Sequence, residues 1–127
     1  MYYLDTFKYL NCFSHGMIEK TVFNSVFGTS PRVRLLEMFL IGRELGYSIS
    51  DMAEQSGASR STVYAMLDEM LQSGLLIETK RYGRIRLFML NEKNQAAQVL
   101  IKMFDQMLKD AANRAEEKYL MKIKAKN

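Results

Sequence analysis

Between Ile49 and Leu71 the apolar positions follow a helical period that is interrupted once, at Gly57. The first stretch carries Met52 and Ala53. The second opens at Ser59, a natural N-cap, and would bury Val63, Met66, Leu67, Met70 and Leu71 at i, i+3, i+4, i+7 and i+8. Ala53 is small where two helices must approach closely. Gly57, four residues on, reaches the left-handed backbone of a sharp turn without strain. Val63, six residues further, packs from the second helix back onto the first, with Met52, Ala58 and Met66 as flanking supports. This Ala-x3-Gly-x5-Val spacing predicts a helix-turn-helix, the geometry that presents a helix to the DNA major groove.

The flanking patterns complete the picture. Upstream, Ser30 as cap and Pro31 at the first helical position start a helix whose core stripe is Val33, Leu35, Leu36, Phe39 and Leu40, with Gly42 and Gly46 near its end. An extended piece, Tyr47-Ser-Ile49, leads to the next helix, for which Ser50 is the expected N-cap and Asp51 and Glu54 suit the positive end of the dipole. Before these, Ile18 to Phe27 is an apolar segment ending at Gly28, and residues 1–16 are aromatic-rich, with Tyr3, Phe7 and Leu10 at i, i+4, i+7. Downstream of Gly74, residues 75–81 and 84–90 read as two strands around Tyr82-Gly83, with Ile85, Leu87 and Met89 alternating with Arg84, Arg86 and Phe88. From Asn91 to about Lys124 no glycine or proline intervenes, and Ala97, Leu100, Phe104, Met107, Ala111 and Ala115 recur at spacings of three and four. A helix of about 32 residues would run about 48 Å. That exceeds what a domain of about 70 residues can cover, so part of its apolar face needs another partner, most simply a second copy of the chain.

Charge sharpens this division. The chain carries +4 in 127 residues, but residues 1–58 hold −1 and residues 59–127 hold +5. The excess lies with the second helix of the motif, the hairpin and the C-terminal tail, where nucleic acid would need it. No apolar run approaches a membrane span, and the first eight residues lack the pattern of a signal peptide. One cysteine, Cys12, excludes an internal disulfide framework and suits a reducing cytoplasm.

The residues that would touch DNA follow from the wheel of the second helix. With its apolar stripe inward, Arg60, Ser61, Tyr64, Ala65 and Asp68 face out. Arg60 suits guanine or a phosphate, Ser59, Ser61 and Thr62 offer hydroxyls, and Tyr64 a stacking face. At the hairpin, Lys80, Arg81, Arg84 and Arg86 gather with only Glu78 opposing them, a pattern for phosphate or minor-groove contact. The bland alternatives are a solvated helix face and a charged edge hairpin that resists sheet pairing. An enzyme is not expected. Cys12-x-x-His15 has metal-like spacing but no further Cys or His to complete a site, and Glu116 and Glu117 point in different directions on a helix. Nothing points to a cofactor or identifies a small-molecule effector. The C-terminal lysines Lys118, Lys122, Lys124 and Lys126 suit either DNA or the negative end of a helix dipole.

The stretches Phe27-Gly-Thr-Ser-Pro-Arg-Val-Arg-Leu-Leu-Glu-Met-Phe-Leu40, Ser48-Ile-Ser-Asp-Met-Ala-Glu, Ser59-Arg-Ser-Thr-Val-Tyr, Gly74-Leu-Leu, Gly83-Arg and Leu90-Asn-Glu-Lys-Asn resemble archaeal winged-helix transcriptional regulators related to MarR and ArsR, over about residues 22–108. The resemblance implies a dimeric DNA-binding protein of archaeal or archaeal-plasmid origin. It departs from the metal-sensing ArsR proteins in having no cysteine box. Residues 1–16 fall outside it, and Met17 is a candidate natural start. The expected architecture is mainly α (α+β): a winged helix-turn-helix with a two- to three-stranded β-wing and a long C-terminal helix. Residues 1–22 would form an aromatic arm, 23–91 the DNA-binding domain, and 92–127 a dimerisation helix with Leu100, Phe104, Met107, Leu108 and Ala111 at the interface. The expected function is a homodimeric transcriptional regulator reading double-stranded DNA. The alternative is a winged-helix adaptor that binds proteins without reading bases.

Overall fold

Local signals for helix starts and stops set the element order. In a computed structural model, which describes residues 21–126, the chain runs α1 (Val22–Phe27), α2 (Pro31–Ile41), α3 (Ile49–Ser56), α4 (Arg60–Gln72), β1 (Leu76–Glu78), β2 (Phe88–Leu90) and α5 (Gln95–Lys126). The aromatic arm, Cys12, His15 and Met17 lie outside the described residues. Among the described residues no helix is long and apolar enough to cross a membrane.

Ser30 caps α2 by accepting a hydrogen bond from the Val33 amide, with Pro31 at the first helical position. The cap of α3 is Ser48, not Ser50. Its hydroxyl accepts from the Asp51 amide, and the Asp51 carboxylate accepts from the Ser48 amide, a reciprocal capping box. Two satisfied donors outweigh the one that Ser50 could offer, so the helix starts two residues earlier than expected. Gly57 ends α3 at φ 70, and Ser59 caps α4. At the other end of α4, the Leu75 amide donates to the Met70 carbonyl and the Gly74 amide to the Leu71 carbonyl, closing a Schellman motif around Gly74 at φ 81.

The core lies between these helices and the base of the wing. Leu35, Met38, Phe39 and Leu40 of α2, Met52 of α3, Val63, Met66, Leu67 and Met70 of α4, and Leu76, Phe88 and Leu90 of the strands are all buried. Ala53 and Leu71 are half-buried at its edge. The strands pair antiparallel with Leu76 opposite Leu90, Ile77 opposite Met89 and Glu78 opposite Phe88. Tyr47 adds a third, one-residue strand: its amide and carbonyl exchange hydrogen bonds of 2.8 and 2.9 Å with Phe88. Its ring meets Phe39 edge-on at 5.5 Å. Gly42 makes room for this plug, since a Cβ there would collide with the Tyr47 hydroxyl.

Two expectations about the hairpin are corrected. Phe88 and Leu90 point inward while Ile85 is 56% exposed, so the buried parity is the reverse of Ile85, Leu87 and Met89. The pairing of Tyr47 with Phe88 orients the larger ring to the core and fixes the register that way. The turn is also one residue later, because Tyr82 and Ile85 pair through two 3.0 Å hydrogen bonds with Gly83 and Arg84 between them. Gly83 takes φ 62, which its lack of a Cβ permits.

The helix α5 has 32 residues. Asn94 caps it through the Ala97 amide. Its first half packs down: Ala97 and Phe104 are buried, Phe104 meets the Phe23 ring of α1 edge-on at 5.7 Å, and Arg43 holds Asp105 through bonds of 2.6 and 3.2 Å. From Ala112 through residue 125 every side chain is exposed.

Candidate nucleic-acid interface

Burial of Val63, Met66, Leu67 and Met70 turns the other side of α4 outward, so Ser59, Arg60, Ser61, Thr62 and Tyr64 are all exposed. The three hydroxyls form one cluster. Ser59 Oγ lies 3.1 Å from Ser61 Oγ and 3.0 Å from Thr62 Oγ1 while accepting the Thr62 amide at 3.3 Å. The cap therefore fixes the direction of the polar side chains beside it. Arg60 reaches back to donate to Ser50 Oγ at 2.9 Å, a single bond to a neutral acceptor, and among the described residues no carboxylate pairs with its charge.

Arg60 and Tyr64 face the wing across a cleft of about 200 Å³, lined also by Ser48, Ile49, Ser50, Arg84, Ile85 and Arg86. The fold thus brings the start of the exposed helix face and two of the four wing cations to one concavity. Ser48 and Ser50 belong to this surface and were missed as part of it. Both lie at the start of α3, Ser48 as its cap and Ser50 in its first turn. Asp68 and Glu69 lie further along α4, where Glu69 pairs with Arg32 rather than with the cleft.

The wing cations are unequal. Glu78 accepts from Arg86 through Nε and Nη2, each at 3.0 Å, and from Arg81 Nε at 3.0 Å. The Arg86 guanidinium also lies 5.0 Å over the Phe88 ring. These hydrogen bonds, Arg86's first, lower the Glu78 pKa to about 2 and raise that of Arg86. Among the described residues no acid meets the side chains of Lys80 and Arg84.

Of the residues expected at a dimer interface, Phe104 is corrected: it is 3% exposed and belongs to the chain's own core. Leu100, Met107 and Ala111 are half-buried, and Leu108 is exposed. The larger free apolar surface lies further along, at Tyr119, Leu120, Met121 and Ile123. The spacing argument stopped at Ala115 and did not include them.

A second concavity of about 250 Å³ opens between α1, α2 and α5, lined by Thr21, Val22, Phe23, Glu37, Ile41, Phe104, Leu108 and Ala111. Its one carboxyl, Glu37, is buried and accepts from the Thr21 hydroxyl at 2.6 Å. Burial raises its pKa against the lowering effect of that bond. Sequence reasoning passed over Glu37, although it sits four residues after Val33 and four before Ile41, on the stripe that faces the core. Among the described residues no group of three or more His, Cys, Asp or Glu side chains could hold a metal ion.

Residues 33–78 match the IclR helix-turn-helix domain. No curated protein matches the sequence significantly. Among solved structures, the chain is similar to MepR, a transcription regulator of the Staphylococcus aureus multidrug efflux pump MepA, with 18% identity and a TM-score of 0.51 over 72% of this chain and 70% of that one. The S. aureus MepR–DNA complex gives 15% identity and a TM-score of 0.53 over 73% and 74%. Lactococcus lactis ZitR, in apo form, gives 17% and 0.51 over 66% of this chain and 63% of its own length. The helix-turn-helix segment is thus of the IclR type. The fold that carries it is that of winged-helix regulators.

Proposed function

We propose that the chain is a homodimeric transcriptional regulator that binds double-stranded DNA sequence-specifically. Each α4 enters a major groove with Arg60, Ser61, Thr62 and Tyr64 toward base edges, and the wing meets phosphate or the minor groove first through Lys80 and Arg84. The single observation that carries the reading is the shared cleft, where Arg60 and Tyr64 of α4 face Arg84 and Arg86 of the wing. That MepR, a protein of similar fold, has been solved with DNA supports the choice of partner. A second copy covers the C-terminal half of α5, whose Tyr119, Leu120 and Met121 are too exposed for a chain acting alone. Two-fold pairing then sets half-sites about one helical turn, roughly 34 Å, or a multiple apart. The reading assigns the chain no chemistry and no cofactor.

Mobility shift of duplexes from the gene's own upstream region tests this. With six to ten phosphates neutralised, affinity falls about 10³–10⁵-fold between 50 and 200 mM salt. A flat salt response would refute the mechanism. The same exposed residues on α5 favour a second reading, an adaptor that docks another protein through a methionine-bearing helix. It predicts no shift of any duplex at low salt.

A further inference from the structure

Four cations and one acid share the wing, and the acid is placed to meet two of them. Glu78 ends β1 directly opposite Phe88, the residue on whose ring Arg86 rests. Arg86 is held by both of its bonds to Glu78 and by the ring. Arg81 is held by one bond alone, and its side chain is 62% exposed. A phosphate approaching the wing therefore finds Lys80 and Arg84 uncommitted, must displace a carboxylate to gain Arg81, and gains Arg86 only by breaking a bidentate pair and a ring contact.

We infer that Glu78 is a restraining residue that limits the wing's grip on any duplex: it withholds Arg81 from phosphate and keeps Arg86 as a positioning residue of the hairpin. This rests on the DNA-binding reading and deepens it. Phosphate contacts carry no sequence information, so each one the wing makes strengthens binding to every competing site equally. An acid that removes one or two such contacts leaves discrimination to the α4 face. It also lowers the charge that a random duplex meets first. The cation set committed to phosphate is thus Lys80 and Arg84, with Arg81 conditional and Arg86 excluded.

The test compares Glu78→Gln with Glu92→Gln, which makes the same charge change at an exposed residue between β2 and α5. Binding of a random-sequence duplex is measured from 50 to 300 mM salt. Glu78→Gln is expected to steepen the salt slope by about 0.9 to 1.8 and to bind roughly tenfold tighter at 100 mM, while Glu92→Gln follows the wild type. Adding Arg81→Ala to Glu78→Gln should remove most of that gain, since the two act through one pair. Binding by Glu78→Gln that equals or falls below wild type would overturn the inference, because Glu78 would then be preparing the arginines for DNA instead of withholding them. If no form binds any duplex, the DNA reading fails, and retention on a heparin column judges Glu78 separately. Later elution of Glu78→Gln than of Glu92→Gln supports the restraint; co-elution refutes it.

Discussion

The exposed face of α4 and the wing border the same cleft, yet they are held in place by different forces. The helix is fixed from behind: Val63, Met66, Leu67 and Met70 anchor it in the core, Ser59 fixes its first turn and the Schellman motif its last. Its outward side chains make only surface hydrogen bonds and the Arg32–Glu69 pair. The wing has strands of three residues each and is anchored at its base by Leu76, Phe88 and Leu90, while its upper part is organised by the Glu78 pairs at the surface. Order bought by core burial leaves charge free, whereas order made by surface ion pairs consumes it. Under the proposed DNA-binding function, that difference makes α4 the rigid face for bases and the wing the adjustable one for phosphates.

The largest effect is expected where both regions share an anchor. Phe88 packs the wing onto the core and pairs with Tyr47, so Phe88→Ala should destabilise the fold by about 3–5 kcal/mol in thermal or denaturant unfolding. A loss below about 1 kcal/mol would mean that the wing is not held from its base. Next, Arg60→Ala should cost about 1–3 kcal/mol on a preferred duplex and relax preference at one base pair per half-site. Arg84→Ala should instead weaken all duplexes alike and flatten the salt slope by about 0.9. Exchange of those two signatures would reverse the assignment of readout and grip.

A smaller effect comes from the two carboxyl groups with opposite shifts. Glu37 is buried with its pKa raised above the ordinary 4.5, so the folded state favours its protonated form. The stability linked to that preference is complete below pH 4.5 and is lost as pH rises through the folded-state value. Glu37→Gln should therefore raise Tm at pH 7, an increment that vanishes in scans near pH 4. Glu78 behaves oppositely. Its pKa of about 2 keeps its pairs intact above pH 4.5 and releases them as pH falls toward 2, so the wing amides should lose order in NMR spectra over that window. Wing signals unchanged down to pH 2 would show that the ion pairs contribute nothing to its order.

Much of this was legible from sequence because helix signals are local. Ser30-Pro31, Gly57, Ser59 and Gly74 each act through bonds to residues within five positions, and all four mark the boundaries they suggested. The hairpin was harder. Its inward parity depends on Tyr47, about 40 residues away in sequence from Phe88, and alternation alone permits either face. A rule that weighs one hydroxyl at a time favours Ser50 over Ser48 as the cap, because the reciprocal bond of Ser48 with Asp51 is invisible to it. The pairing of Arg81 and Arg86 with Glu78 needed coordinates as well, since composition counts four cations whether or not an acid holds two of them.

Selection of bound sites from random duplexes, run in parallel on wild type and Arg60→Ala, bears most directly on the reading face of α4. The account predicts that wild type enriches a two-fold symmetric site with half-sites about 34 Å or a multiple apart, and that Arg60→Ala loses preference at one base pair in each half. Enrichment of no sequence by the wild type, or of an identical site by both proteins, would contradict it.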